Sequence, residues 1–147
     1  MKRYLLYLLP LMLLLVEACS TKNDYTAPPA PLGTFQGFFK LLVKKPTGTD
    51  YDTVKKVTNL ILTISSPNNF KVTGDTATVH AGSRGLFKYD GTYIAFWDST
   101  YKVGPQTKIH LVNTYLYAYS GGLRLQIQRA NQAQDSILVY DLNKTSN

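Results

Sequence analysis

The chain has 147 residues, a formal net charge of +7, one cysteine and two histidines. That length is enough for one domain. Acidic residues number only nine against 16 basic ones. Few titratable groups are therefore available to converge on a catalytic or metal centre. The charge balance sets anionic surfaces, rather than cationic ones, as the natural neighbours of the folded chain.

The N-terminus carries a location signal. Lys2 and Arg3 precede Tyr4–Val16, an apolar run of 13 residues interrupted only by Pro10, and Val16-Glu17-Ala18-Cys19-Ser20 closes it. A membrane span needs about 20 apolar residues, so this run is too short to cross. A charged start, an apolar middle and a small residue at the cut make a secretory signal. The segment resembles a bacterial lipoprotein signal. Residues 1–18 are then removed and Cys19 is lipidated as the first residue of the mature protein. Lipidation also accounts for a lone cysteine, which plain secretion would leave as an odd thiol. Two acyl chains, at about 0.8 kcal/mol per buried CH₂, suffice for stable anchoring. Ser20, in place of an acidic residue, implies by the same resemblance an outer-membrane address, with the periplasmic or external face left open.

Removal of the signal takes away Lys2, Arg3 and Glu17, lowers the net charge to +6 and leaves no glutamate. Residues 19–32 form the lipidated terminus and a tether. Ala27-Pro28-Pro29-Ala30-Pro31 favours an extended spacer because proline lacks a backbone donor and fixes φ. Lys44-Lys45 and Lys55-Lys56 read as solvated strand ends, the default for exposed charge.

From Gly33 onward Val, Ile, Thr, Tyr and Phe alternate with polar residues, and turn residues recur about every ten positions. The predicted strands are 33–45, 54–65, 70–80 with a break at Gly74-Asp75, 84–89, 92–98, 108–119, 123–129 and 135–142. Asp90-Gly91 is a tight-hairpin signal, and Ser66-Pro67-Asn68-Asn69 is a turn. A short helical turn is expected near 99–104. Eight short-linked strands predict an all-β antiparallel up-and-down barrel over residues 33–143, with a tail at 144–147. Closure hides the sheet edges. A β-sandwich is the alternative.

Several segments carry a family resemblance. Gly33-Thr34-Phe35-Gln36-Gly37 resembles the opening Gly-x-aromatic-x-Gly of small lipocalin-like lipoproteins of Bacteroidetes-type bacteria. Ala81-Gly82-Ser83-Arg84-Gly85-Leu86-Phe87 is similar to their Gly-Arg-Gly-x-Phe strand, with Ser83 inserted. Ile94-x-Phe96-x-Asp98 matches a third segment. Leu111-x-Asn113-Thr114-Tyr115-Leu116-Tyr117 resembles a fourth, with Asn113 in place of glycine. Tyr140-Asp141-Leu142, followed by Lys144, resembles the close. The resemblance implies a lipocalin-like barrel more than any activity, because one fold hosts many functions.

The candidate chemistry is sparse. His80 and His110 lie on different predicted strands and lack the spacing of a metal motif. Asp50-Tyr51-Asp52 has only a fragment of a calcium loop. No metal, no cofactor, no catalytic residue and no nucleic-acid partner is expected, and Arg84 and Asp98 are expected to pair across neighbouring strands. Asp52-Thr53-Val54, Asp75-Thr76-Ala77, Asp98-Ser99-Thr100 and Asp135-Ser136-Ile137 resemble acceptors for O-glycosylation. The aromatics are the binding candidates. Tyr115, Tyr117 and Tyr119 share one strand face by period two, and Trp97 shares another with Tyr93. The expectation is a membrane-anchored, non-enzymatic protein that binds a small apolar ligand in the barrel mouth near Trp97, Tyr115 and Tyr117. The alternative is an envelope structural or protein-interaction accessory with a packed barrel and no ligand.

Overall fold

The structure, a computed structural model, describes residues 29–120, 122–131 and 135–147. The expected signal segment, Cys19 and most of the expected tether lie outside the described residues. The strands are β1 (Gly33–Lys44), β2 (Tyr51–Ser65), β3 (Asn69–Gly74), β4 (Ser83–Tyr89), β5 (Tyr93–Asp98), β6 (Asn113–Ser120), β7 (Arg124–Asn131) and β8 (Ser136–Ser146). Each pairs antiparallel with its sequence neighbours, and β1 also pairs with β8, giving a closed eight-stranded barrel. The barrel, not the sandwich, is therefore the architecture. Every strand finds both neighbours within residues 33–146. A chain starting at Ser20 thus retains the complete hydrogen-bonded barrel.

Alternation places the core. Phe35 and Phe39 on β1, Leu60, Leu62 and Ile64 on β2, Phe70 and Val72 on β3, Ile94 and Phe96 on β5, Leu125 and Ile127 on β7, and Tyr140 and Leu142 on β8 are all buried. Each such side chain contributes roughly 1.5–3 kcal/mol when fully removed from water. Register shifts between Gly37 and Phe39 and between Leu41 and Leu42 interrupt the β1–β2 ladder. Such bulges sharpen local bend and twist, which a closing sheet needs. Glycine permits a close approach at two points. A Cβ on Gly37 would overlap the Asp141 carbonyl oxygen at the β1–β8 seam, and one on Gly85 would overlap the Trp97 carbonyl oxygen between β4 and β5.

The up-and-down order puts the chain termini and the β2–β3, β4–β5 and β6–β7 connections at one end. The other four connections lie at the opposite, loop end. Two segments expected as strand cross that loop end instead. The third strand stops at Gly74, whose φ of +87° turns the chain out of the sheet. Residues 108–112 lie outside β6, because Asn113 adopts φ +77° and redirects the chain into it. Asparagine tolerates this left-handed conformation better than most residues. The two freed segments pair with each other: Ile109 N–H donates to the Val79 carbonyl at 2.9 Å, and Ala81 N–H donates to the Ile109 carbonyl at 2.8 Å. The anticipated helical turn at 99–104 is absent; the Asp98 carboxylate instead accepts from Thr100 N–H at 2.7 Å in a side-chain turn. The last strand runs on to Ser146 opposite Thr34, so residues expected as a tail complete the seam with β1.

Candidate functional site

The barrel interior is crossed by interlocking aromatic rings. Phe70 meets Phe96 at 5.0 Å between ring centroids, Phe96 meets Tyr115 at 6.0 Å, and Tyr115 meets Tyr140 at 5.8 Å. Tyr140 meets Phe39 at 4.9 Å, and Phe39 meets His80 at 5.2 Å. Most of these pairs stand edge to face, the arrangement ring quadrupoles favour. This chain of rings joins β3, β5, β6, β8 and β1 across the middle of the barrel and ends on the loop-end segment 75–82.

His80 is fully buried in this cluster. Its Nδ1 lies 2.8 Å from the Ala81 carbonyl and its Nε2 lies 2.9 Å from the Tyr140 hydroxyl. A carbonyl can only accept, so Nδ1 carries the proton and Nε2 accepts from Tyr140. Burial lowers the His80 pKa to about 4, which keeps the ring neutral at pH 7. Burial also pushes the Tyr140 hydroxyl well above its ordinary range and raises that of Tyr115. The Arg129 guanidinium stands 5.9 Å over the Tyr115 ring and donates to the Val112 carbonyl at 3.1 Å.

The second histidine sits at the loop end. His110 Nδ1 lies 2.7 Å from the Asp98 carboxylate, whose side chain is fully buried. Tyr101 packs edge-on against His110 at 5.2 Å. Paired with Thr100 and His110, Asp98 ties the 99–112 segment to the end of β5. The expected Arg84–Asp98 pair does not form. Gly85, not Arg84, stands opposite Asp98, and Arg84 points outward while Asp98 points inward. A one-residue offset in register puts the two side chains on opposite faces. Among the described residues, no group of three or more His, Cys, Asp or Glu side chains could hold a metal ion.

The three ligand candidates are not brought together. Tyr115 is buried within the aromatic chain, and Tyr117 is half-buried against the core. Trp97 lies on the opposite, outer face of the wall and is 56% exposed. There it stands opposite Leu86 in the β4–β5 ladder, and Leu86 is likewise exposed. Leu86 stands opposite Asn69 of β3, and Asn69 opposite Ser65 of β2. The neighbouring outward row, two residues along each strand, is Thr63, Lys71 and Arg84. These rows floor a groove of about 760 Å³ on the outside of the barrel, with Ser99, Tyr101 and Val112 along its loop-end wall. A second concavity of about 670 Å³ lies on the other side of the Leu86–Trp97 pair, toward the β2–β3 and β4–β5 turns.

Lys71, Leu86 and Tyr101 were not singled out by sequence reasoning. A signal for Leu86 exists: it is an apolar residue between Arg84 and Lys88 on a face that is otherwise charged. Comparison of the chain with known protein families, with curated proteins and with solved structures finds no match.

Proposed function

We propose that this chain is a lipid-anchored outer-membrane lipoprotein that binds a small molecule without chemical turnover, on the outside of a packed barrel. The observation that carries this reading is the outer groove of about 760 Å³ floored by the exposed Leu86–Trp97 pair. That volume falls within the usual range for small-molecule sites, roughly 300–1,000 Å³. The barrel mouth is less suited to the role. Large rings meet across the interior, and the segments 75–82 and 99–112 pair over the loop end. The signal segment ending at Ala18-Cys19 supports the anchor. The His110–Asp98 pair resembles a base with its orienting carboxylate, but Asp98 also accepts from Thr100, and together these contacts hold a loop.

Native mass spectrometry of the protein gently extracted from membranes tests the reading. The expected result is a co-purifying small molecule that is lost in a Leu86→Asp, Trp97→Ala variant of intact fold. A protein that carries no small molecule, and whose Trp97 emission no small amphiphile alters, would overturn it.

A second reading, an envelope accessory that docks another protein, draws on one further observation. Tyr93 and Leu116 stand opposite each other on the outer face of β5 and β6, both about half exposed. Capture of an envelope protein that is lost in Tyr93→Ser, Leu116→Ser and retained in the Leu86 and Trp97 variants would favour it.

A further inference from the structure

The groove has a polar half and an apolar half, and the polar half is cationic. Lys71 on β3 and Arg84 on β4 stand directly opposite each other on the outer face. Like charges in that position destabilise a sheet unless something neutralises them. Neither forms an ion pair among the described residues, where the salt bridges are Lys45–Asp52, His110–Asp98 and Arg124–Asp141. Asp98 is the acidic residue bordering the groove, and its buried carboxylate is engaged by Thr100 and His110. Ser99 donates to the Arg84 carbonyl through both its N–H, at 2.9 Å, and its hydroxyl, at 2.8 Å, which fixes the groove wall beside the two cations. The Leu86–Trp97 pair begins two residues further along the strands, about 7 Å away at strand rise.

From this juxtaposition we infer that the groove takes a single-chain anionic amphiphile. Its phosphate or carboxylate head sits between Lys71 and Arg84, and its apolar chain lies along Leu86 and Trp97. The inference rests on the outer-groove reading above and adds the ligand's chemical class. A cation pair with no ion-pair partner among the described residues gives the head a charge-assisted site. A flat indole and a leucine, both about half exposed, give the chain apolar area to cover. The shared chemistry is one anionic group on one apolar chain, whether it comes from a membrane lipid fragment or a free fatty acid.

Trp97 is the sole tryptophan of the chain, so intrinsic fluorescence reports the groove directly. A soluble chain of residues 20–147 with Cys19 removed is titrated with dodecyl phosphate, lauric acid, dodecyl maltoside and inorganic phosphate. Each amphiphile stays below its self-assembly concentration. Dodecyl phosphate and laurate should both give a saturable blue shift of Trp97, with dodecyl maltoside at least tenfold weaker and inorganic phosphate without effect. The Lys71→Gln, Arg84→Gln double variant should weaken both anions at least tenfold and leave the maltoside unchanged. Raising salt from 0.05 to 0.5 M, which shortens the Debye length severalfold, should also weaken the anions. A head-group preference between phosphate and laurate identifies the source of the ligand within the class. Equal binding of the maltoside, with no effect of the double variant, would overturn the anionic class and leave the groove reading standing. A response to inorganic phosphate as strong as to dodecyl phosphate would overturn the amphiphile. No response to any of the four would overturn both readings. Both substituted side chains are solvent-facing, so a retained β-sheet spectrum in the double variant separates binding from folding.

Discussion

The Tyr140 hydroxyl donates to Nε2 of His80 across 2.9 Å in the middle of the barrel. The bond joins β8 to the 75–82 segment that crosses the loop end, so it links the barrel wall to its closure. It exists only while His80 is neutral with its proton on Nδ1. Protonation would turn Nε2 into a donor and oblige the Tyr140 hydroxyl to rotate and accept, while placing a charge in a buried site.

The pH dependence of stability follows from that bond. His80 has a folded pKa of about 4 against 6.5 when unfolded. Between those values the unfolded chain binds more protons, so stability is complete above pH 6.5 and falls as pH drops toward 4. The expected loss is about 3 kcal/mol by linkage. Urea unfolding at pH 7.5 and pH 4.5 measures it, and His80→Gln should flatten the slope across that window.

Removing the donor alone has a separate effect. Tyr140→Phe leaves the His80 Nε2 buried without a partner, and such an orphaned acceptor costs roughly 1–3 kcal/mol. The loss should be largest at neutral pH and should shrink in a His80→Leu background, where no acceptor remains. A double-mutant cycle in urea reads this coupling.

Two leucines on opposite faces of the wall should respond in opposite ways. Leu125 is fully buried and Leu86 is 55% exposed. Leu125→Asp places an unpaired charge in the core and should abolish folding, while Leu125→Ala should cost about 2–5 kcal/mol. Leu86→Asp should change stability by less than about 1 kcal/mol. Thermal melts of the three variants check the assignment of inside and outside.

At the loop end, Asp98→Ala removes the acceptor for Thr100 and His110. Hydrogen exchange at Thr100 and across 106–112 should accelerate, while amides of β1 and β8 stay protected. Uniform acceleration over the whole chain would show that Asp98 supports the barrel rather than the loop.

The proposed lipid anchor has its own direct check. Mass spectrometry of the mature N-terminus should find acyl chains on Cys19. A soluble product that begins elsewhere, or an unmodified cysteine, contradicts the anchor.

Period-two alternation made most of the barrel legible in the sequence. Leu123-Arg124-Leu125-Gln126-Ile127 reads as a half-buried strand, and in β7 Leu125 and Ile127 are indeed inside. Asp90-Gly91 reads as a tight turn, and the Asp90 carboxylate accepts from Thr92 and Tyr93 N–H at 2.9 and 2.7 Å. Hydropathy does not encode the sign of φ, and there the reading departed from the fold. Leu111-Val112-Asn113-Thr114-Tyr115 reads as continuous strand, yet β6 begins only at Asn113, whose left-handed φ turns the chain into it. The loop-end closure through His80 and Ile109 is equally invisible, because it joins residues far apart in sequence with no shared motif.

The candidate site was legible in part. Trp97 was recognisable as a candidate aromatic, but its neighbours were not, since alternation does not say which face of β5 turns inward. Ile94 and Phe96 fill the core, so the indole faces out, opposite to Tyr115. The cation pair depended on register: Lys71 and Arg84 meet because β3 and β4 pair with Val72 opposite Ser83, and neither strand states that offset locally.

Intermolecular nuclear Overhauser effects between a saturating single-chain amphiphile and the 20–147 chain test the outside-binding claim most directly. Contacts should run from the acyl protons to the Trp97 indole and the Leu86 methyls, with none to the rings of Phe39, Tyr115 or Tyr140. Contacts to those interior rings, with Trp97 and Leu86 silent, would contradict it and return the ligand to the barrel interior.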